Sequence, residues 1–585
     1  MGKARSRERA EQPGSPYSAV RVPGMGALLL ALAMAVPTLP ATAASAGEAE
    51  STTASPARPD LWAPGGTAGT DDPLDALLLD ASILEMQVAM STGKLTARAL
   101  TRYYLDRIRR FDEQGPGLNS MARLNEDALQ VADRLDAERV ASGPRGPLHG
   151  IPVVVKDNYE TRGMPTTAGS VLLEGFAPDN DAFQVARLRQ AGAIILGKTN
   201  MHEFAYGITS QGSAFGEVRN PYDPARNPGG SSGGTGAAVA ANFAAAGMGS
   251  DTCGSIRIPA AHNNLVGLRG TQGLSSRAGI IPLSHTQDMG GPLTRSVTDL
   301  ALMLDATVGF DPEDGQTSLS RGNIPESYLR GLNPGALVGV RLGVLENLLR
   351  PDPEDGEVAA VFEGAAAELA AAGAELVRVR IPDLERLLNV EPTGFFVLAH
   401  DFKTDINAYL AAHPAAGVRS LREILASGRY HPVIDQVLRV SESMNEESRP
   451  MYMRALAQRR TIRQGLLAVM AENDLDAFAY PTIRRKAAPL GEPQEGSNCQ
   501  LAAKSGLPAI SMPAGFTDDG LPVGLELMSR PWTEQALLAM AYAFEQATHH
   551  RRPPRLAGTP AGPQPGSRAS GAQPPGPQAE EGEEP

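Results

Sequence analysis

With 585 residues, 42% of them hydrophobic, the chain is long enough to bury a large core, and its two cysteines exclude a disulfide-built scaffold. A net charge of −13 argues against a general nucleic-acid binder, which would present a basic surface. The charge leaves the substrate open.

Taken in chain order, Arg5, Arg7 and Arg9 precede an apolar run at residues 25–36, and Ala41-Thr42-Ala43-Ala44-Ser45-Ala46 follows with small-residue cleavage character. Residues 1–46 read as a secretory signal, because the apolar run is shorter than the ~20 residues a membrane span needs. The expected location is secreted or periplasmic; a start at Met25 would discard most of the positive region and leave a cytoplasmic chain. Residues 47–71, rich in Ser, Thr, Ala, Pro and Gly, are expected to be a disordered spacer, and residues 556–585 a disordered Pro/Gly/Glu-rich tail. The folded domain is placed at residues 72–555.

Within it, Ser82 and Glu85 form an S-x-x-E capping box, and Leu100, Tyr104 and Ile108 mark one face of a second helix. Val153-Val154-Val155 reads as a buried strand closed by Lys156, residues 183–190 as a helix and residues 193–196 as a strand. Strand, helix, strand predicts an α/β core. Residues 192–199 fit G-x-x-x-x-G-K-T letter by letter, but Ala193-Ile194-Ile195-Leu196 is a strand and not a phosphate-cradling loop. His202 and Glu203 lack a second histidine at i+4, so they are expected to line or support a cleft and not to bind metal.

Residues 227–259 carry two small-residue turns that each present serine. The first is Pro228-Gly229-Gly230-Ser231-Ser232-Gly233-Gly234 and the second is Asp251-Thr252-Cys253-Gly254-Ser255. Residues 235–246, alanine-rich with Val239 and Phe243 at i, i+4, are expected to form a short buried helix between them. Further strands are expected at residues 341–345, 375–379, 476–480 and 509–512, and an amphipathic helix at 533–547. Aromatics between Phe395 and Tyr409 belong to a core or line a pocket.

A serine nucleophile needs a base, and Lys156 is the candidate: burial behind three valines disfavours its ammonium form, while Asp157 and Asn158 could pull it partly back. Lys156 in VVVKDN, Ser231 in GGSSGG and Ser255 in DTCGSIR, at intervals of 75 and 24, resemble the Ser-Ser-Lys triad of the amidase signature family. GKTNMHEFA, GLRGTQGLSS, GPLTRS, SGLPAISMPAG and PVGLEL extend the resemblance over about residues 72–555. PLHGIP, GIIPLSHTQD and AMAYAFEQ look closest to its bacterial peptide amidase branch.

The resemblance implies one large domain, a mixed β-sheet core covered by helices on both faces. It implies hydrolysis of a carboxylic amide through an acyl-enzyme on Ser255, with Lys156 accepting a proton from Ser231 and Ser231 one from Ser255. Gly230 and Ser231 are expected to be joined by a cis peptide bond, with Ser232 in support. The Thr252, Cys253, Gly254 and Ser255 amides are the expected oxyanion donors, and Asp251 and Arg257 are expected to pair across the turn. No metal or cofactor is implied, and the partner is a small-molecule or peptide amide, not nucleic acid and not a membrane once the signal is removed. A Cys253 thiolate is the alternative nucleophile, although no histidine adjoins it to ionise it. The alternative function is the glutaminase subunit of a tRNA-dependent amidotransferase.

Overall fold

Eleven strands form one sheet in the computed structural model of the protein, which describes residues 74–349, 353–384, 388 and 393–556. Residues 1–46 and 47–71, expected to be a signal and a spacer, and the expected tail beyond Leu556 lie outside those residues. In chain order the strands are β1 (Met121–Leu124), β2 (Pro152–Lys156), β3 (Ile194–Thr199), β4 (Ala246–Ser250), β5 (Val266–Arg269), β6 (Gly290–Thr294), β7 (Arg341–Leu345), β8 (Glu375–Val379), β9 (Ala477–Pro481), β10 (Ala509–Phe516) and β11 (Pro522–Ser529). Across the sheet they run β1-β3-β2-β4-β6-β5-β10-β11-β9-β7-β8. β3, β2 and β4 are mutually parallel, as are β9, β7 and β8, and antiparallel pairs fill the centre. The sheet is therefore mixed.

Both faces are covered, and the period of two along a strand shows how. Ala477 and Ala479 of β9 point into a core shared with the helices Val297–Thr307, Gly356–Ala371 and Glu534–Thr548. Phe478 and Tyr480 point the other way, against Arg449–Glu472 and Gln500–Ser505. A third cluster places Phe402 and Ile406 of the helix Thr393–Ala412 against Phe204 and Tyr206, so Phe402 belongs to a core. Among the described residues, no helix is long and apolar enough to cross a membrane.

Most expected elements appear within a residue or two of their predicted bounds, and the Ser82 capping box is present. The strand that replaces the false phosphate loop runs on to Thr199, and the strand expected at 509–512 runs on to Phe516. A third boundary is also corrected. The alanine-rich helix spans Gly233–Ala240 and does not reach residue 246, because Asn242 adopts a left-handed φ of 58° and turns the chain into β4.

Candidate active site

Parallel strands deliver two parts of the site to the same edge of the sheet. β2 ends on Lys156, and its neighbour β4 ends on Ser250. The crevice beyond the carboxyl ends of such strands is where open α/β sheets place their ligands. After Ser250 the chain makes the turn that carries Ser255 and enters the helix Arg257–His262. The glycine-rich turn with Ser231 leads into Gly233–Ala240 beside it, and Ser232 N–H donates to the Ser255 carbonyl at 3.2 Å.

Lys156 is fully buried and donates to Ser231 Oγ at 2.7 Å and to Ser250 Oγ at 2.8 Å. Burial pushes its pKa down to about 7, against partial upward pulls from Asp288 and Asp251. Asp157 is not the opposing charge. Its carboxylate sits 3.1 Å from Lys198 Nζ, and Asn158 Nδ2 donates to Ser250 Oγ at 3.0 Å. Two buried residues next to the lysine therefore serve its surroundings and leave its amine able to lose a proton near neutrality.

The Gly230-Ser231 peptide bond is cis. A Cβ at Gly230 would lie 2.8 Å from the Ile208 carbonyl carbon and 2.9 Å from Thr209 N, so only glycine fits against that backbone. His202 N–H donates to the Ser231 carbonyl at 3.1 Å, while Glu203 accepts from Ser213 and from His431 N–H. His202 thus buttresses the glycine-rich turn, while Glu203 ties Ser213 to the segment at His431. Burial holds the His202 imidazole neutral, lowering its pKa to about 3.

Asp251 organises the second turn. It accepts from Gly254 N–H at 2.7 Å and Ile256 N–H at 3.2 Å, and pairs with Arg257 at 3.1 Å and Arg269 at 3.0 Å. Although burial opposes its charge, the two guanidiniums hold the Asp251 carboxyl well below the usual carboxylate range. Arg257 reaches on to Glu526 at 2.5 Å, and Tyr480 donates to the same Glu526 oxygen at 2.8 Å. Of the four expected oxyanion donors, Gly254 N–H is engaged by Asp251, while Thr252, Cys253 and Ser255 remain. Among the described residues those three amides meet no protein acceptor.

Two further expectations meet the geometry differently. No hydrogen bond joins the Ser231 and Ser255 hydroxyls. Cys253 is joined to Cys499 in a disulfide, so its sulfur is not a thiol and cannot be the nucleophile. Sequence reasoning missed Ser250, Asp288, Glu526 and Cys499. Ser250 stands immediately before the Asp251 turn, and Asp288 and Glu526 lie within GIIPLSHTQD and PVGLEL without having been singled out there, whereas Cys499 lies in none of the quoted motifs. Asp288 accepts from Thr252 Oγ1 at 2.6 Å and so holds the turn from the far side.

A cavity of about 210 Å³ opens beside Ser250 and Asp288, with Arg277, His285 and Asp314 along its wall. Ser250 connects this cavity to Lys156, and Asp288 connects it to the turn that carries Ser255. Close by, His285, Asp401 and Asp405 bring ligand-type atoms together. They already bond to protein groups: His285 Nδ1 meets Asp405 at 2.9 Å, and Asp401 accepts from Tyr452 at 2.7 Å.

The family model described as Amidase matches residues 99–538. The chain belongs to the amidase signature family. In sequence it is 35% identical over 506 residues to a glutamyl-tRNA(Gln) amidotransferase subunit of Ralstonia pickettii, covering 81% of this chain and 99% of that one. In structure the chain matches the native peptide amidase of Stenotrophomonas maltophilia with a TM-score of 0.76 and 39% identity, covering 82% of this chain and 99% of that one. The corresponding glutamyl-tRNA(Gln) amidotransferase subunit of Thermotoga maritima matches with a TM-score of 0.65 and 29% identity, over 81% and 98%. The chain is thus an amidase-family enzyme acting on carbon–nitrogen bonds, with structural neighbours in the peptide amidase branch.

Proposed function

We propose that the chain is an exported amidase that hydrolyses carboxylic amides to acid and ammonia or amine, with peptide C-terminal amides as the favoured class. The observation that carries this is the buried Lys156 amine, 2.7 Å from Ser231 Oγ and with a pKa near 7. A neutral amine in that place accepts the Ser231 proton, and Ser231 takes one from Ser255 as Ser255 Oγ attacks the carbonyl. Hydrogen bonds to a nucleophile are often long before substrate binds and tighten in the complex. The Thr252, Cys253 and Ser255 amides receive the oxyanion. The relay then protonates the leaving amine, a poor leaving group otherwise, and water repeats the path to release the acid.

The second reading is a glutaminase-type subunit that works with a partner on aminoacyl-tRNA, as the names of the sequence relatives suggest. A disulfide beside the nucleophile favours the exported amidase, because disulfides persist in oxidising compartments and are rare in the cytosol. The secretory character of residues 1–46 agrees with it. Purified residues 47–585, assayed alone for ammonia release from peptide amides, simple amides, free peptides and glutamine, separate the readings. Turnover of peptide amides without any partner is expected. Activity on glutamine alone, and only with an added partner, would sink the proposal.

A further inference from the structure

The disulfide touches the catalytic turn at its least supported point. At one end Asp251 is fixed by Arg257 and Arg269, and Thr252 Oγ1 is held by Asp288. Cys253, two residues before Ser255, has no side-chain hydrogen bond among the described residues, and its bond to Cys499 is what ties it down. Cys499 is the N-cap of the helix Gln500–Ser505, which packs on the long helix Arg449–Glu472. The two chain segments also approach closely at Gly254, which adopts φ 83°; a Cβ there would lie 2.8 Å from Cys499 Cβ. Arg257 Nη2 completes the seam by donating to the Cys499 carbonyl at 3.5 Å. The turn that bears the nucleophile and three free amides is thus clamped covalently to an element 246 residues away.

We propose that the Cys253–Cys499 disulfide is a positioning element for the oxyanion-binding turn, so that full catalytic power belongs to the oxidised enzyme alone. This rests on the amidase reading. Cys253 is partly exposed while Cys499 is buried, so an incoming thiolate attacks the Cys253 sulfur. With a dithiol as reductant, its first thiolate forms a mixed disulfide with Cys253 and expels Cys499 as thiolate. The dithiol's second sulfur then closes on the first and releases Cys253. Two electrons and two protons pass from the dithiol to the two cysteine thiols, and the dithiol leaves as a cyclic disulfide. The freed Cys253 amide then wanders from the oxyanion. Deleting a fixed oxyanion donor lowers kcat by ~100–1000-fold, and loosening one is expected to cost at least about tenfold.

The test uses the full chain purified without reductant and its ammonia release from a peptide amide, before and after treatment with dithiothreitol. Thiol titration confirms two free cysteines, and near-UV circular dichroism confirms the fold. The expected result is a kcat at least ~10-fold lower at nearly constant KM, restored on reoxidation. Cys499→Ser should show the same loss without treatment and no further response to dithiothreitol. A reduced, folded protein that keeps the oxidised kcat overturns the proposal, as does a loss that merely tracks the unfolded fraction. Failure of the amidase reading itself looks different, since the oxidised chain then releases no ammonia at all.

Discussion

Lys156 concentrates the chemistry at the scale of single residues. Its folded pKa of about 7 lies below its ordinary value of 10.5 because burial disfavours the ammonium. The base form therefore grows as pH rises, and kcat/KM should climb through pH 7 and level off above it. Stability follows the same sign: the unfolded chain binds this proton more tightly, so the group costs stability below about pH 7, and the cost fades as pH approaches 10.5. Lys156→Met keeps the volume, removes the base and should abolish the limb near pH 7 together with at least ~100-fold of the rate. A variant that keeps both would reduce Lys156 to a structural cation. The sequence already exposed Lys156, Ser231 and Ser255, since a strand ending in lysine and two serine turns survive as local patterns. Ser250, Asp288 and Glu526 carried no such chemical signal, although Asp288 and Glu526 lie within GIIPLSHTQD and PVGLEL. They reach the site by tertiary approach from separate segments, and each is an ordinary polar residue in its own neighbourhood. The Cys253 pairing was invisible for the same reason, because two cysteines 246 residues apart carry no local signal.

At the scale of elements, β2, β3, β7, β8, β9 and β10 were legible, whereas β1, β5, β6, β11 and, above all, β4 were not. The β4 sequence, Ala-Gly-Met-Gly-Ser, has little β-propensity, and its glycines read as loop. The structure gives the physical reason for them. A Cβ at Gly249 would come within 2.8 Å of Leu293 Cδ1 and 2.9 Å of Ser232 Oγ, and Ser232 is itself held by the backbone of Ser250. Close packing of β4 under the glycine-rich turn overrides propensity here. Gly249→Ala should therefore destabilise the protein by about 1–3 kcal/mol in denaturant unfolding and lower kcat as well, because the displaced group adjoins Ser231. If stability falls while kcat holds, the coupling between this strand and the turn is not what positions Ser231.

Across the whole molecule, the two ends of the described chain meet behind the site. Arg551 pairs with Asp80 at 2.9 Å and donates to the Ala240 carbonyl at 2.9 Å, where the helix that follows Ser231 ends. It also reaches the Tyr222 hydroxyl at 2.8 Å. Replacing Arg551 by Met leaves Asp80 and that helix terminus short of donors in a largely buried setting, which should cost about 2–4 kcal/mol of unfolding free energy. A change within about 0.5 kcal/mol would mean that the closure contributes nothing to the fold. The order of strands across the sheet was beyond the reach of the sequence, since pairings such as β5 with β10 join residues 267–269 to 509–511 and are set by global packing.

The claim on which everything else depends is that Ser255 carries the acyl group. A slowly deacylating amide or ester substrate, quenched in acid during turnover, should leave an adduct that mass spectrometry of the reduced, digested protein assigns to the Ser255 hydroxyl. The adduct should be absent in Ser255→Ala and should form far more slowly in Lys156→Met. An acyl group found on Ser231 or Ser250, or steady turnover with no adduct on any serine, would contradict the account.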